Sequence, residues 1–350
     1  MPDNFIKLYT PSSTPDCVYF LSEGEIFFYI SDSDKYSING KNLIVGSTEL
    51  LLNNFLEMKT GRIETAVSKN DSKIKKMSLE SFMTGIKTFS FVINTSMVLA
   101  KQIKLTNGII NKNMTSLAGD EKKNRESAIE YYRIVDKIKT EYEKRKFPWL
   151  KTLITKYEPS LTFKRGEAFA RSSDPVTIAS TSEISDKDVE YSRGTIICEE
   201  NTIGDEMYIL QSGAIDVTVG GNKVASIENA GTVIGEMALL LGDARTATLQ
   251  ARNNVILTKI KKSELVEIAE RKFDILMSIA LSLAKRHYFN VVKIGSLNKT
   301  IVDQNINEAP GKNPAIAYKM NTELRALKDD VEAAVKGKEH DFLKDMIKSF

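Results

Sequence analysis

The chain has 350 residues, 42% hydrophobic and 27% charged, with a formal net charge of +3. That is the make-up of a soluble globular protein with room for two domains and a connector, and the charge is too small to indicate a nucleic-acid partner by itself. Cys17 and Cys198 lie too far apart in sequence to suggest a disulfide framework and suit a reducing cytosol, and with only His287 and His340 no dedicated metal site is expected.

Met1-Pro-Asp-Asn has neither a basic n-region nor an apolar run, so no leader is expected. Two candidate strands flank an Asn39-Gly40 hairpin signal. Phe89–Val98 is apolar but interrupted by Ser90, Asn94, Thr95 and Ser96, and no run reaches spanning length, so no membrane span is expected. Leu117–Lys146 is rich in Glu, Lys and Arg. It carries Ala128, Ile129, Tyr132, Val135 and Ile138 at three- and four-residue steps, the pattern of an amphipathic connector helix ending near Phe147-Pro148. Its charges read as a solvated face, with a homodimer seam as the other reading. Ser172–Asp188 is polar and reads as a mobile loop.

Short apolar strands follow at Met207–Leu210 and Ala214–Val219, then Lys223–Ile227 after the Gly220-Gly221 turn signal. Ala247–Ala251 and Val255–Ile260 flank an Asn253-Asn254 turn. The period then changes: Leu265, Ile268, Phe273, Leu276, Ile279, Ala280, Leu283 and Tyr288 recur at helical spacing, with Ser263 the candidate cap. Ile294 to Asn313, holding Gly295, Pro310 and Gly311, reads as a linker. Ile316–Phe350 reads as a last helical piece with Leu324, Leu327, Val331, Ala334 and Val335 on one face.

Residues 234–251 carry the most information about function. Gly235 lets the backbone approach a ligand closely. Glu236 can accept hydrogen bonds from a ribose hydroxyl. Met237 to Leu241 form a short apolar turn whose first N–H groups favour an anion. Arg245 offers a planar, permanently charged fork to phosphate oxygens. This stretch resembles the phosphate-binding cassette of the cyclic nucleotide-binding domain, the module of the catabolite activator protein, the protein kinase A regulatory subunits and cyclic nucleotide-gated channels. The resemblance extends upstream over Tyr191, Gly194, Ile197, Tyr208, Gly213 and Gly231, and downstream through the Leu265–Lys293 helices. Two positions depart from the family: Asn201, often Gly, and Ala244, often Pro.

An internal repeat also emerges. Ile74–Phe82 resembles Leu257–Leu265 about 183 positions later, Val45–Leu52 lines up with Ile234–Leu241, and Glu64-Thr65-Ala66 matches Arg245-Thr246-Ala247. In that alignment Ser47 replaces the ribose-binding Glu and Glu64 replaces the phosphate-binding Arg, so the first copy is expected to be a poor receptor. Arg62 would take the place of the Arg if the loop were shifted by two residues.

The resemblance implies an α+β fold: two cyclic-nucleotide-binding-type β-barrel (jelly-roll-like) domains with flanking helices, joined by a helical connector. The expected division is 1–105 for a degenerate first copy, 106–160 for the connector, 161–300 for the binding domain, and 301–350 for a linker and helical tail. It implies ligand contacts from Gly235, Glu236, Met237, Ala238, Arg245 and Thr246, and a relay through Leu239 to the last helices. Those helices usually supply a base contact, for which Arg286, Tyr288 and Phe289 are candidates. The expected function is a cytoplasmic, non-enzymatic receptor for cAMP, favoured over cGMP, without a further cofactor. It would signal to an unidentified downstream protein, with a homodimer through the connector or C-terminal helix as an open expectation. The alternative is a scaffold whose two copies are both unresponsive. A DNA-binding regulator is disfavoured because no turn-helix with a basic recognition helix follows the second copy.

Overall fold

The computed structural model describes residues 5–118, 122–170, 187–219, 221–307 and 313–336. The expected loop over Ser172–Asp188 lies almost wholly outside them, as do Pro310, Gly311 and the last part of the tail. The first copy contains β1 (Phe5–Tyr9), β2 (Cys17–Tyr29), β3 (Lys35–Val45), α1 (Thr48–Phe55), β4 (Thr65–Lys69), β5 (Lys73–Ser78), α2 (Leu79–Gly85) and α3 (Phe89–Ala118). Its strands form one antiparallel sheet in the order β1-β4-β2-β3, with β5 also on β2. Val18, Leu21, Ile26 and Phe28 of β2 are fully buried in it. Asn39-Gly40 does not turn the chain. Gly40 lies within β3 opposite Gly24 of β2, and the hairpin closes instead at Ile30–Asp34, where the Ile30 N–H donates to the Asp34 carbonyl at 2.9 Å.

Next come α4 (Lys122–Arg145), α5 (Pro148–Tyr157) and α6 (Leu161–Ala170). Pro148 stands at the first turn of α5, where its missing N–H costs nothing. Tyr131, Ile134, Val135 and Ile138 of α4 share an apolar cluster with Leu150, Leu153 and Tyr157 of α5 and Phe163 of α6. Leu324, Leu327, Val331 and Val335 of α10 (Asn313–Val335) complete it. The two apolar faces offered by the sequence to a second copy thus meet each other within one chain. This helical unit comprises 107–172 and 292–350, so α6 belongs with it rather than with the binding domain expected to start at 161.

The second copy is built from β6 (Asp188–Tyr191), β7 (Ile196–Cys198), β8 (Glu206–Ser212), β9 (Ile215–Val219), β10 (Asn222–Ile227), β11 (Val233–Ile234), α7 (Glu236–Leu241), β12 (Thr248–Ala251) and β13 (Val255–Lys261). Two four-stranded sheets, β10-β9-β12-β7 and β11-β8-β13-β6, pack Ile215, Leu249 and Ala251 against Leu210, Val255 and Leu257. The sheets are open, not a closed barrel. A 3-10 turn at Lys262–Glu264 leads into α8 (Leu265–Arg271) and α9 (Phe273–Asn307). Ser263 lies inside that turn and caps nothing; the Glu264 carboxylate instead accepts from the Lys261 N–H at 2.8 Å. The linker expected from Ile294 is helical to Asn307, because Ile294 and Leu297 continue the buried stripe of α9. The expected boundaries at 105 and 300 therefore fall inside the continuous helices α3 and α9.

The two copies form one compact unit, 1–106 with 173–291, and share an apolar cluster. Their strand registers correspond. Tyr19 of β2 faces Val45 of β3 and Lys76 of β5; Tyr208 of β8 faces Ile234 of β11 and Lys259 of β13. A cassette glycine follows the facing residue each time, Gly46 after Val45 and Gly235 after Ile234, and a helix starts within two residues of it.

Candidate functional site

The cassette of the second copy begins where β11 ends. Gly235 adopts φ +83°, a conformation that L side chains rarely adopt, and a Cβ there would lie 2.2 Å from the Arg245 guanidinium. A Cβ on Gly204 would lie 2.1 Å from Arg245 Nε. These two glycines let the guanidinium lie flat on the backbone, and Arg245 is only 5% exposed. Its Nη1 donates to the Gly235 carbonyl at 3.2 Å and its Nη2 to the Glu206 carbonyl at 2.5 Å. The Tyr208 ring lies 5.8 Å below. The Arg245 N–H donates to the Thr202 carbonyl, and the Asn201 N–H to the Arg245 carbonyl. Asn201 itself sits at φ +65°, a conformation Asn tolerates better than most residues, which accounts for the departure from Gly.

Among the described residues no carboxylate forms an ion pair with Arg245. Its charge is met by the Gly235 and Glu206 carbonyl dipoles and the Tyr208 ring face. Glu236, the first residue of α7, is also buried, and Arg286 of α9 forms an ion pair with it. Arg286 Nη2 lies 3.5 Å from Met237 Sδ. Ala238 and Leu239 are buried, Met237 is half-buried and Thr246 is exposed beside Arg245. Leu239 joins the apolar cluster of Leu265, Ile268, Leu276 and Ile279 from α8 and α9. The two residues expected from α9 differ in placement. Arg286 reaches the cassette, whereas Tyr288 packs edge-on to Phe289 and against the core.

The first copy corrects the expected alignment. Arg62, not Glu64, makes the contacts of Arg245: Nη1 donates to the Gly46 carbonyl at 2.7 Å and Nη2 to the Cys17 carbonyl at 2.5 Å. Cys17 stands two residues before Tyr19, as Glu206 stands two before Tyr208. Arg62 also forms an ion pair with Glu49 at 2.9 Å.

Glu64 lies in a separate buried polar cluster that sequence reasoning missed. Tyr36 donates to Glu64 Oε2 at 2.8 Å, and Gln102 Nε2 donates to the Tyr36 hydroxyl at 3.0 Å. His287 of α9 completes it, with Nε2 3.1 Å from the Tyr36 hydroxyl and Nδ1 2.8 Å from Thr48 Oγ1. Because the Tyr36 proton is committed to Glu64, Nε2 carries the imidazole proton and Thr48 donates to Nδ1. Burial holds His287 neutral, down at about 3, and pushes Glu64 up to about 8 against the Tyr36 hydrogen bond. Only the presence of just two histidines in the chain pointed to this residue.

A family model described as cyclic nucleotide-binding domain matches residues 188–272. The cAMP-dependent protein kinase regulatory subunit of Mucor circinelloides f. lusitanicus is 33% identical over 84 residues, covering 23% of this chain and 19% of that protein. The human cyclic nucleotide-gated channel beta-3 is 38% identical over 108 residues, covering 29% and 13%. The chain therefore spans less than a fifth of the length of either relative. A solved structure described as cAMP bound PfPKA-R is 17% identical, covering 79% of this chain and 77% of that one, with a TM-score of 0.27. Among the described residues no single helix is long and apolar enough to cross a membrane. Residues 188–272, where the glycine-cradled Arg245 lies, thus match the cyclic nucleotide-binding domain family.

Proposed function

We propose that this chain is a cytoplasmic, non-enzymatic cyclic nucleotide receptor with one live site, formed by Gly235, Glu236, Met237, Ala238, Arg245 and Thr246. The observation that carries the reading is Arg245: a buried guanidinium held in place by two carbonyls and paired with no carboxylate among the described residues. An entering phosphodiester supplies the missing negative charge. The ribose 2′-hydroxyl goes to Glu236, and the favoured ligand is cAMP over cGMP. The base is covered from α9, with Arg286 the nearer candidate and Tyr288 the farther. Binding draws Leu239 and the α8–α9 helices together, and α9 carries the signal to a downstream protein. The first copy, 1–105, holds the fold without binding a nucleotide.

One observation favours the scaffold reading: Arg286 already engages the carboxylate that the ribose would use. Calorimetric titration of the full chain with cAMP and with cGMP separates the two. Heat with cAMP at lower concentration than with cGMP is expected. No heat and no melting shift with either leaves the scaffold.

A further inference from the structure

The structure assigns Glu49 as a tethered occupant of the first copy's anion seat, its carboxylate standing where Arg62 would hold the oxygens of a phosphate. The seat itself is intact. Arg62 grips the Gly46 and Cys17 carbonyls as Arg245 grips those of Gly235 and Glu206. The Tyr9 ring lies 4.3 Å from the Arg62 guanidinium, and the charge facing it differs through the third residue after the cassette glycine. In the second copy it is Ala238, whose methyl cannot reach the guanidinium. In the first it is Glu49, whose Oε2 accepts from Arg62 Nη1 at 2.9 Å while Oε1 accepts from the Ile63 N–H at 3.1 Å. One carboxylate therefore spans both the charge and the neighbouring backbone donor, with both side chains almost wholly out of water at 0% and 2% exposure.

Two further groups bear on the seat. Arg62 Nε and Ser47 Oγ are buried without a hydrogen-bond partner. Ser47 directly follows Gly46, as Glu236 follows Gly235. Buried polar groups are normally satisfied, and a carboxylate has only two oxygens to offer where a phosphate has four. The unserved donors are those beyond its reach. The longer loop between Gly46 and Arg62 is pinned by Asn53, which accepts from the Thr60 N–H at 2.7 Å and donates to the Thr60 carbonyl at 2.8 Å.

The inference concerns the first copy and stands whether or not the second binds a nucleotide. It is tested on the full chain in an Arg245→Ala background, so that any anion response comes from the first seat. Melting is followed with saturating inorganic phosphate against chloride at equal ionic strength. The parent should not respond. Adding Glu49→Gln removes the built-in charge and leaves Arg62 uncompensated, so phosphate should then raise the melting midpoint by about 2–4 °C. Glu49→Asp keeps a carboxylate in the cassette and should respond no more than the parent. The proposal is overturned if the Gln variant gains no more than the parent, if the Asp variant gains as much as the Gln variant, or if the Gln chain stays unfolded even with phosphate.

Discussion

Both cassettes hold an arginine against the same two backbone carbonyls, yet one guanidinium faces a carboxylate and the other does not. On the proposed reading, the comparison teaches that a binding site can be lost by being filled, with its principal residue still in place. It also shows how the copies meet. Arg286 and His287 are neighbours on α9, and each is tied to a different copy, Arg286 to Glu236 and His287 to Thr48 and Tyr36. A ligand that takes Glu236 would share its carboxylate with Arg286, on a helix that the first copy holds one residue later.

The sharpest way to break the comparison is to remove the unpaired arginine. Truncating one partner of a buried charge contact costs about 2–5 kcal/mol, and about 1.4 kcal/mol is tenfold in affinity. Arg245→Ala should thus weaken cAMP tens- to thousands-fold by calorimetry, with no second site left behind. Retention of affinity within about threefold would show that the arginine does not hold the phosphate. A smaller effect is expected at Glu236. Glu236→Ala should weaken cAMP by roughly tenfold, the scale of one hydrogen bond to a charged group, and a 2′-deoxy analogue hardly at all. Equal losses for both ligands would mean that the residue acts through its pair with Arg286.

The sequence made the second copy legible because its site is local: Gly235 to Thr246 lie within one short segment, and the strands on either side carry regular turn signals. The first copy misled at one place. Glu64-Thr65-Ala66 resembles Arg245-Thr246-Ala247, but that pairing sets the copies 181 positions apart, whereas Lys76 and Lys259 occupy equivalent registers 183 apart. Arg62 and Arg245 are also 183 apart, so a constant offset would have recovered the right arginine. The Glu49 contact needed the side chain's direction, and the His287 contacts join residues more than two hundred positions apart. No periodicity encodes such pairs. Asn39-Gly40 failed differently: the ladder with β2 on both sides of it outweighs a two-residue turn preference.

A third expectation concerns the pocket that His287 fills. Glu64 has an ordinary value of 4.5 and a folded value near 8, so between them the native state holds a proton that the unfolded chain has released. Stability should therefore fall as pH rises through that window. His287 works in the opposite sense below its ordinary 6.5, where the unfolded chain takes up a proton that the native state refuses. From pH 6.5 to 8 the Glu64 contribution is opposed only towards the upper end, by Lys293, which burial lowers to about 8 and which a change at Glu64 leaves in place. Glu64→Gln, which cannot ionise, should melt at a more constant temperature across that range than the parent. An unchanged slope would mean that Glu64 is ionised throughout.

The smallest effect tests the relay. Leu239 is buried among Leu265, Leu276 and Ile279 and follows directly on Ala238 of the cassette. Leu239→Ala leaves the polar contacts of Glu236 and Arg245 in place, so much of the binding should persist, although a buried Leu→Ala change costs about 2–5 kcal/mol of stability. What it removes is the apolar link between the cassette and α8–α9. Ligand can shift that link only through a difference in affinity between its two arrangements. Hydrogen exchange over Phe273–Lys293, compared with and without cAMP within each protein, separates the relay from the general loss of stability. The parent should gain protection on binding, and the variant should gain distinctly less. Equal gains would place the relay elsewhere, with the Glu236–Arg286 pair the next connection to cut. No gain in either protein would make the second copy a rigid binder whose α9 is held still by the first copy's grip on His287.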